Sequence, residues 1–243
     1  DLTVTGNVYA LSNVDVTQDL NVTGDVYALS NVDITKNLSV SEDISTSSNL
    51  NVTKDVTVTG HIFANSNVVV TRDIAVTQDV YARDVKVNRD LTVTREVTAL
   101  SNVNITKDLT VTGNVFADSN VSVANDLDIS GNVYATKNVN VTKDVIVTGD
   151  IRTTSNLNVS KNATVQGDLY ANGNAVVSKD LTVIKNIIAQ SDVDVTKDLT
   201  VTGNVFADSN ISVAKNLGVY GETYLTGNAS VSKTLYVTSD IEA

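Results

Sequence analysis

Apolar and polar residues alternate along the chain in a six-residue phrase that holds its frame almost throughout. From Asp1 the hexads run DLTVTG, NVYALS, NVDVTQ, DLNVTG, DVYALS, NVDITK, with apolar residues in the second and fourth places and mostly polar ones elsewhere. A period of two belongs to a strand with one buried face. The residue types agree: Val and Ile dominate the apolar slots and Thr the polar ones, and β-branched side chains suit a pleated surface better than a helix. Gly, Ser, Asn, Asp and Lys gather at the hexad boundaries, where they tolerate a bend or a left-handed backbone. Each hexad therefore predicts a short strand and a corner. The frame slips once, at residues 79–83 (DVYAR), where one residue is missing before DVKVNR resumes it.

A longer period lies above the first, because the hexads recur in threes: an Asp-led one ending in Gly, one carrying an aromatic and Ala, and one ending in Lys. Thr106–Asn120 and Thr196–Asn210 are identical and stand a whole number of such triplets apart. The triplet predicts an all-β, single-chain triangular β-solenoid with about 18 residues and three hexad strands per turn, and about 13 turns in all. Turns stacked at about 4.8 Å give a rod about 65 Å long. Ladders that repeat with the triplet rather than the hexad mean that each strand stacks on its own chain, not on a neighbour in an intertwined trimer. The expected domain is one continuous rod over residues 1–243. A chain that starts at Asp1 and contains no Met reads as part of a longer one.

The inward slots follow from the frame. Leu2, Leu20, Leu38, Val56, Ile74, Leu91 and Leu109 lead the first face, each followed two residues on by Val. On the second face the later slot carries Ala10, Ala28, Ala64, Ala82, Ala99, Ala117, Ala135, Ala171, Ala189 and Ala207, a small residue that lets the turn close. Ala163, Ala175, Thr223 and Ala229 underfill the leading slot, so looser packing is expected late in the chain.

Composition narrows the chemistry. Pro, Cys, Met and Trp are absent and there is one His. Without Cys there are no disulfides, thiolate metal sites or thiol nucleophiles. His61 has no second His or Cys with which to build a metal cage or a nucleophile–base pair, and its place in the frame is an exposed Asn/Asp corner slot. The glycine-rich nonapeptide of calcium-binding β-rolls is missing. No enzyme activity, cofactor or metal is expected. A net charge of −11 opposes nucleic acid and anionic membranes, and no apolar run is long enough to insert in a bilayer.

Residue types fixed in one outward slot make stripes. Tyr9, Tyr27, Phe63, Tyr81, Phe116, Tyr134, Tyr170, Phe206 and Tyr224 hold one outward slot of the second face, a candidate lateral interface unless neighbouring rings simply cover one another. Lys36, Lys54, Arg72, Arg89, Lys107 and their successors end the third face, each usually followed by Asp, which reads as a solvated corner rather than a polyanion site. A Thr-x-Thr array on the first face, as at Thr57 and Thr59, resembles the flat face of ice-binding solenoids, but Asp128, Ile146, Gln166, Ile184 and Tyr220 interrupt it.

The phrase G-[ND]-[IV]-x-A, present as Gly6-Asn7-Val8-Tyr9-Ala10 and Gly24-Asp25-Val26-Tyr27-Ala28, resembles the core repeat of bactofilins. That resemblance implies a right-handed triangular β-helix and nucleotide-free end-to-end assembly. VTGN-type runs also resemble repeats of viral and phage fibres and of bacterial surface proteins. The left-handed hexapeptide helix of acyltransferases fits less well, because there the small residue precedes the large aliphatic one. Repetition without loops, where a solenoid would carry a site, leads to a first expectation of a self-assembling structural fibre on a virion, an appendage or a cell surface. The alternatives are a bactofilin-like cytoskeletal filament in the cytoplasm and an ice-binding solenoid. The expected partner is the chain itself, head-to-tail and laterally, together with other fibre or surface proteins.

Overall fold

A computed structural model describes residues 1–242 as about 13 turns of parallel β-solenoid, with successive strands of a face about 18 residues apart and no helix among the described residues. Ala243, the last residue of the expected domain, lies outside the described residues. The chain divides into two compact units, Asp1–Asp118 and Ser119–Ala243.

In the first unit, the first-face strands Leu2–Val4, Leu20–Val22, Leu38–Val40, Val56–Val58, Ile74–Val76, Leu91–Val93 and Leu109–Val111 pair in parallel, like slot on like slot. The second unit repeats the arrangement from Leu127–Ile129 to Leu235–Val237. Second- and third-face strands stack in the same way, as with Val26 on Ile44 and Val32 on Leu50. Between the first and last described turns each apolar slot is thus sealed above and below by its own copies. Leu20, Leu50, Val85, Leu157 and Leu199 are each 0% exposed. The predicted Ala slot is buried from Ala28 onward, and Thr46 and Thr153 replace Ala there by donating their hydroxyls to the carbonyls of Ser30 and Lys137. Thr223 is less well served: it fills a leading slot, and its buried Oγ1 has no hydrogen-bond partner among the described residues.

Corners follow different chemistry from the one the sequence suggests. No described residue, glycine or otherwise, has a positive φ. Glycine is used for close approach: a Cβ on Gly60 would stand 2.3 Å from Asp43 Oδ1 and 2.5 Å from the Glu42 carbonyl oxygen. The Asn and Asp residues do more than tolerate a bend. Each accepts, through its side-chain oxygen, the backbone N–H one turn further on: Asp25 N to Asn7 Oδ1 at 2.9 Å, Asp43 N to Asp25 Oδ1 at 3.1 Å, Asn37 N to Asp19 Oδ1 at 3.0 Å and Asn49 N to Asn31 Oδ1 at 3.2 Å. In the second unit the same ladder runs Asn132, Asp150, Asp168, Asn186, Asn204. These bonds satisfy backbone donors that a corner would otherwise leave unpaired.

The frame slip has a specific structural result. Ile62–Val70 and Val80–Val87 are continuous strands that cross the corner between the second and third faces, where every other turn has separate short strands. Their register shifts between Ala64 and Asn67, and Arg83 Nη2 donates to Asn67 Oδ1 at 3.2 Å, the atom that would serve the next turn of the ladder.

Candidate assembly surfaces

The aromatic slot behaves differently in the two units. In the first, Tyr9 is 73%, Tyr27 48% and Phe63 41% exposed, whereas Tyr81 and Phe116 are half-buried. Tyr9 and Tyr27 lie 6.1 Å apart between ring centroids, and Phe63 rests 5.3 Å from the His61 ring. Ser45 and Thr98 interrupt the stripe. Beside the first two tyrosines stand Leu11, 90% exposed, and Leu29, 55% exposed. A pattern of aromatic rings alone does not single out these leucines; their signal is the doubled YALS phrase. Together the four side chains form an exposed apolar patch at the start of the first unit.

In the second unit Tyr134, Tyr170, Phe206 and Tyr224 are all half-buried. Arg152 and Ile188 occupy the intervening slots. The Arg152 guanidinium sits 4.5 Å from the centre of the Tyr170 ring, a cation–π contact. Burial, and then the Asp168 carboxylate that its hydroxyl reaches at 3.4 Å, raises the Tyr170 phenol above its ordinary pKa. Phe206 and Tyr224 stack at 5.1 Å with rings nearly parallel, at 1°. Here neighbouring side chains cover the rings, so the expected nine-member stripe is not one uniform exposed edge.

His61 occupies the Asn/Asp slot as expected but is half-buried, not exposed. Its Nδ1 accepts the Asp79 N–H at 3.2 Å while its own N–H donates to Asp43 Oδ1 at 2.7 Å, so the imidazole continues the ladder. Among the described residues no group of three or more His, Asp or Glu could hold a metal ion. At the charged corner Arg72 Nε reaches back one turn to Asp55 at 3.5 Å and Arg89 Nε to Asp73 at 3.6 Å, and at the corner that follows the first face Arg95 Nε reaches Asp79 at 3.8 Å.

The first and last described turns present the ladder itself. Leu2 is 45% exposed where Leu20 is 0%, and Leu235 is 45% exposed where Leu217 is 1%. Each surface is a parallel strand edge with apolar side chains beside it, able to accept a further turn from the same chain or from another.

A loop-free parallel solenoid of this kind is a repeat architecture, each turn resting on its neighbours. Within it, residues 121–224 match the family model described as Bactofilin: Polymer-forming cytoskeletal. The matched segment lies in the second unit and carries the same phrase as Gly131-Asn132-Val133-Tyr134-Ala135 and Gly203-Asn204-Val205-Phe206-Ala207. No curated protein and no solved structure matches the chain.

Proposed function

We propose that this chain is a structural, non-enzymatic component of a bactofilin-like cytoskeletal filament in the cytoplasm, extended by stacking one solenoid end on another. The family match over residues 121–224 carries this reading, since that family's description is of polymer formation. It reverses the order of the two structural readings drawn from the sequence: nothing in the comparisons supports a virion, appendage or cell-surface shaft. The physical driving force is the one that holds neighbouring turns together, burial of an aliphatic ladder together with strand pairing. Nucleotide has no part in it. Lateral association through Tyr9, Leu11, Tyr27 and Leu29 is a second, weaker mode, resting on their exposure.

Negative-stain electron microscopy and sedimentation of the purified chain without nucleotide test the reading. Filaments are expected, with a sedimenting fraction that grows as the protein concentration rises. Monomers at every concentration of the unmodified chain would refute it.

A further inference from the structure

Three departures from the repeat meet on the first face of the second unit. The outward slot that carries Thr164, Thr182 and Thr200 holds Gly218 in the next turn and Tyr236 in the one after. Two residues beyond Gly218, where the preceding turn has Thr202, stands Tyr220. The result is a hollow of about 510 Å³ floored by Gly218 and Leu217. Tyr220 and Tyr236, each 55% exposed, wall it edge-to-face with centroids 6.1 Å apart and planes at 67°. A Cβ at Gly218 would meet nothing closer than the Leu199 carbonyl oxygen at 4.0 Å, so close packing does not impose glycine here. It leaves room.

The rim is polar. Asp198 Oδ1 accepts both the backbone N–H of Asn216 at 3.0 Å and its amide Nδ2 at 2.8 Å, which fixes the half-buried carboxylate. Thr200 and Thr234, both exposed, line the same opening. The lining chooses among ligand classes. A hydrocarbon would strip water from the carboxylate and the hydroxyls without replacing their hydrogen bonds. An anion would meet Asp198 itself, and the charge a cation would bring is opposed by Lys197 and Lys215, which stand outside the lining but next to Asp198 and Asn216 in the chain. A neutral ring with C–H groups on one face and hydroxyls around its edge satisfies all of them: the C–H face lies on the negative face of a tyrosine ring and the hydroxyls donate to Asp198 and the threonines.

We infer that the hollow over Gly218 is a binding site for a neutral pyranose sugar, alone or as a unit of an oligosaccharide. An open hollow with two ring walls sets the affinity on the order of 1 mM for a single sugar.

Saturation-transfer-difference NMR of the full chain with glucose, N-acetylglucosamine and cellobiose, each at about 10 mM, reads this directly. Transfer to the C–H protons of at least one probe is expected. Gly218→Thr and Tyr236→Thr restore the repeat residue, so both variants should melt like the parent chain while the transfer falls about fivefold or more. Two outcomes overturn the assignment: no transfer to any probe, or transfer of unchanged size in both variants with melting unaltered. Should a variant melt early, Tyr220→Thr in the next ring wall supplies the same comparison.

Discussion

The 17-residue step from Ile74 to Leu91 and the 18-residue step from Leu91 to Leu109 differ by a single residue yet place the same ladder in the same register. In the regular turn a corner separates the second-face strand Val97–Ala99 from the third-face strand Val103–Ile105. In the short turn the strand Val80–Val87 runs straight through. Inside, nothing distinguishes the two: Val85 and Val103 are both 0% exposed and pair directly. Outside, the short turn loses a ladder link at Asn67 and gains Arg83, and four of the chain's arginines cluster at residues 72–95. The lesson is that apolar stacking defines the turn, and that a corner can be rebuilt when its side-chain hydrogen bonds are replaced.

The largest test of that equivalence is a charge in the core. Val85→Asp and Val103→Asp should each cost about 4 kcal/mol or more, because the carboxylate is buried without a partner. Urea unfolding that spares the short-turn variant alone would show a looser interior there. Next in size is the regular corner: Asn49→Ala removes the acceptor of the Asn67 N–H, now 3.1 Å away, and should cost about 1–2 kcal/mol. Arg83→Ala, whose side chain is 56% exposed, should cost about 0.5–1 kcal/mol. An Arg83 effect as large as that of Asn49 would mean that the arginine holds the short turn together rather than merely replacing one bond. Thr223→Val, which swaps a buried, unpartnered hydroxyl for the usual ladder residue, should stabilise by about 1 kcal/mol in the same assay.

Acid gives the smallest effect. The Asn37 N–H holds the Asp19 carboxyl below its ordinary pKa, and the Asn210 N–H does the same for Asp192. A depressed carboxyl contributes stability that is fully present above its unfolded pKa, about 3.9, and is lost as the pH falls through the lower folded value. Asp194, raised by burial and then by Asp192, acts in the opposite sense: its penalty is present at neutral pH and relieved on acidification. The expected outcome is a melting temperature that falls below about pH 4, with a shallower fall in Asp19→Asn, since Asn fills the same slot at Asn37 and still accepts the ladder bond. An identical acid profile in that variant would remove the carboxylate ladder from the account.

The fold was legible because a solenoid core is one-dimensional. Leu20 meets Leu38 and Val26 meets Ile44 at a constant separation, so periodicity in the chain is contact in space. Asn7 and Asp25 were legible only as corner residues, since their bonds reach a backbone group one turn away that no local pattern names. Gly60 was read through conformational freedom when its cause is the nearby Asp43 oxygen. The sequence does not grade the aromatic slot: Arg152 covers Tyr170, whereas Tyr9 stays open beside Leu11, and those neighbours lie on adjacent turns or around a corner. The hollow at Gly218 is not legible in the sequence because it consists of missing side chains, and there Tyr220 stands only as an interruption of threonine.

The central claim is that each turn stacks on the next turn of the same polypeptide. Thr57 and Ala75 are direct partners on adjacent first-face strands, and the chain contains no Cys, so Thr57→Cys with Ala75→Cys gives a clean probe. Neighbouring strands sit about 4.8 Å apart, within disulfide reach. Oxidation of the dilute protein followed by non-reducing electrophoresis should give a cross-linked monomer; disulfide-linked dimers and trimers in its place would contradict the account.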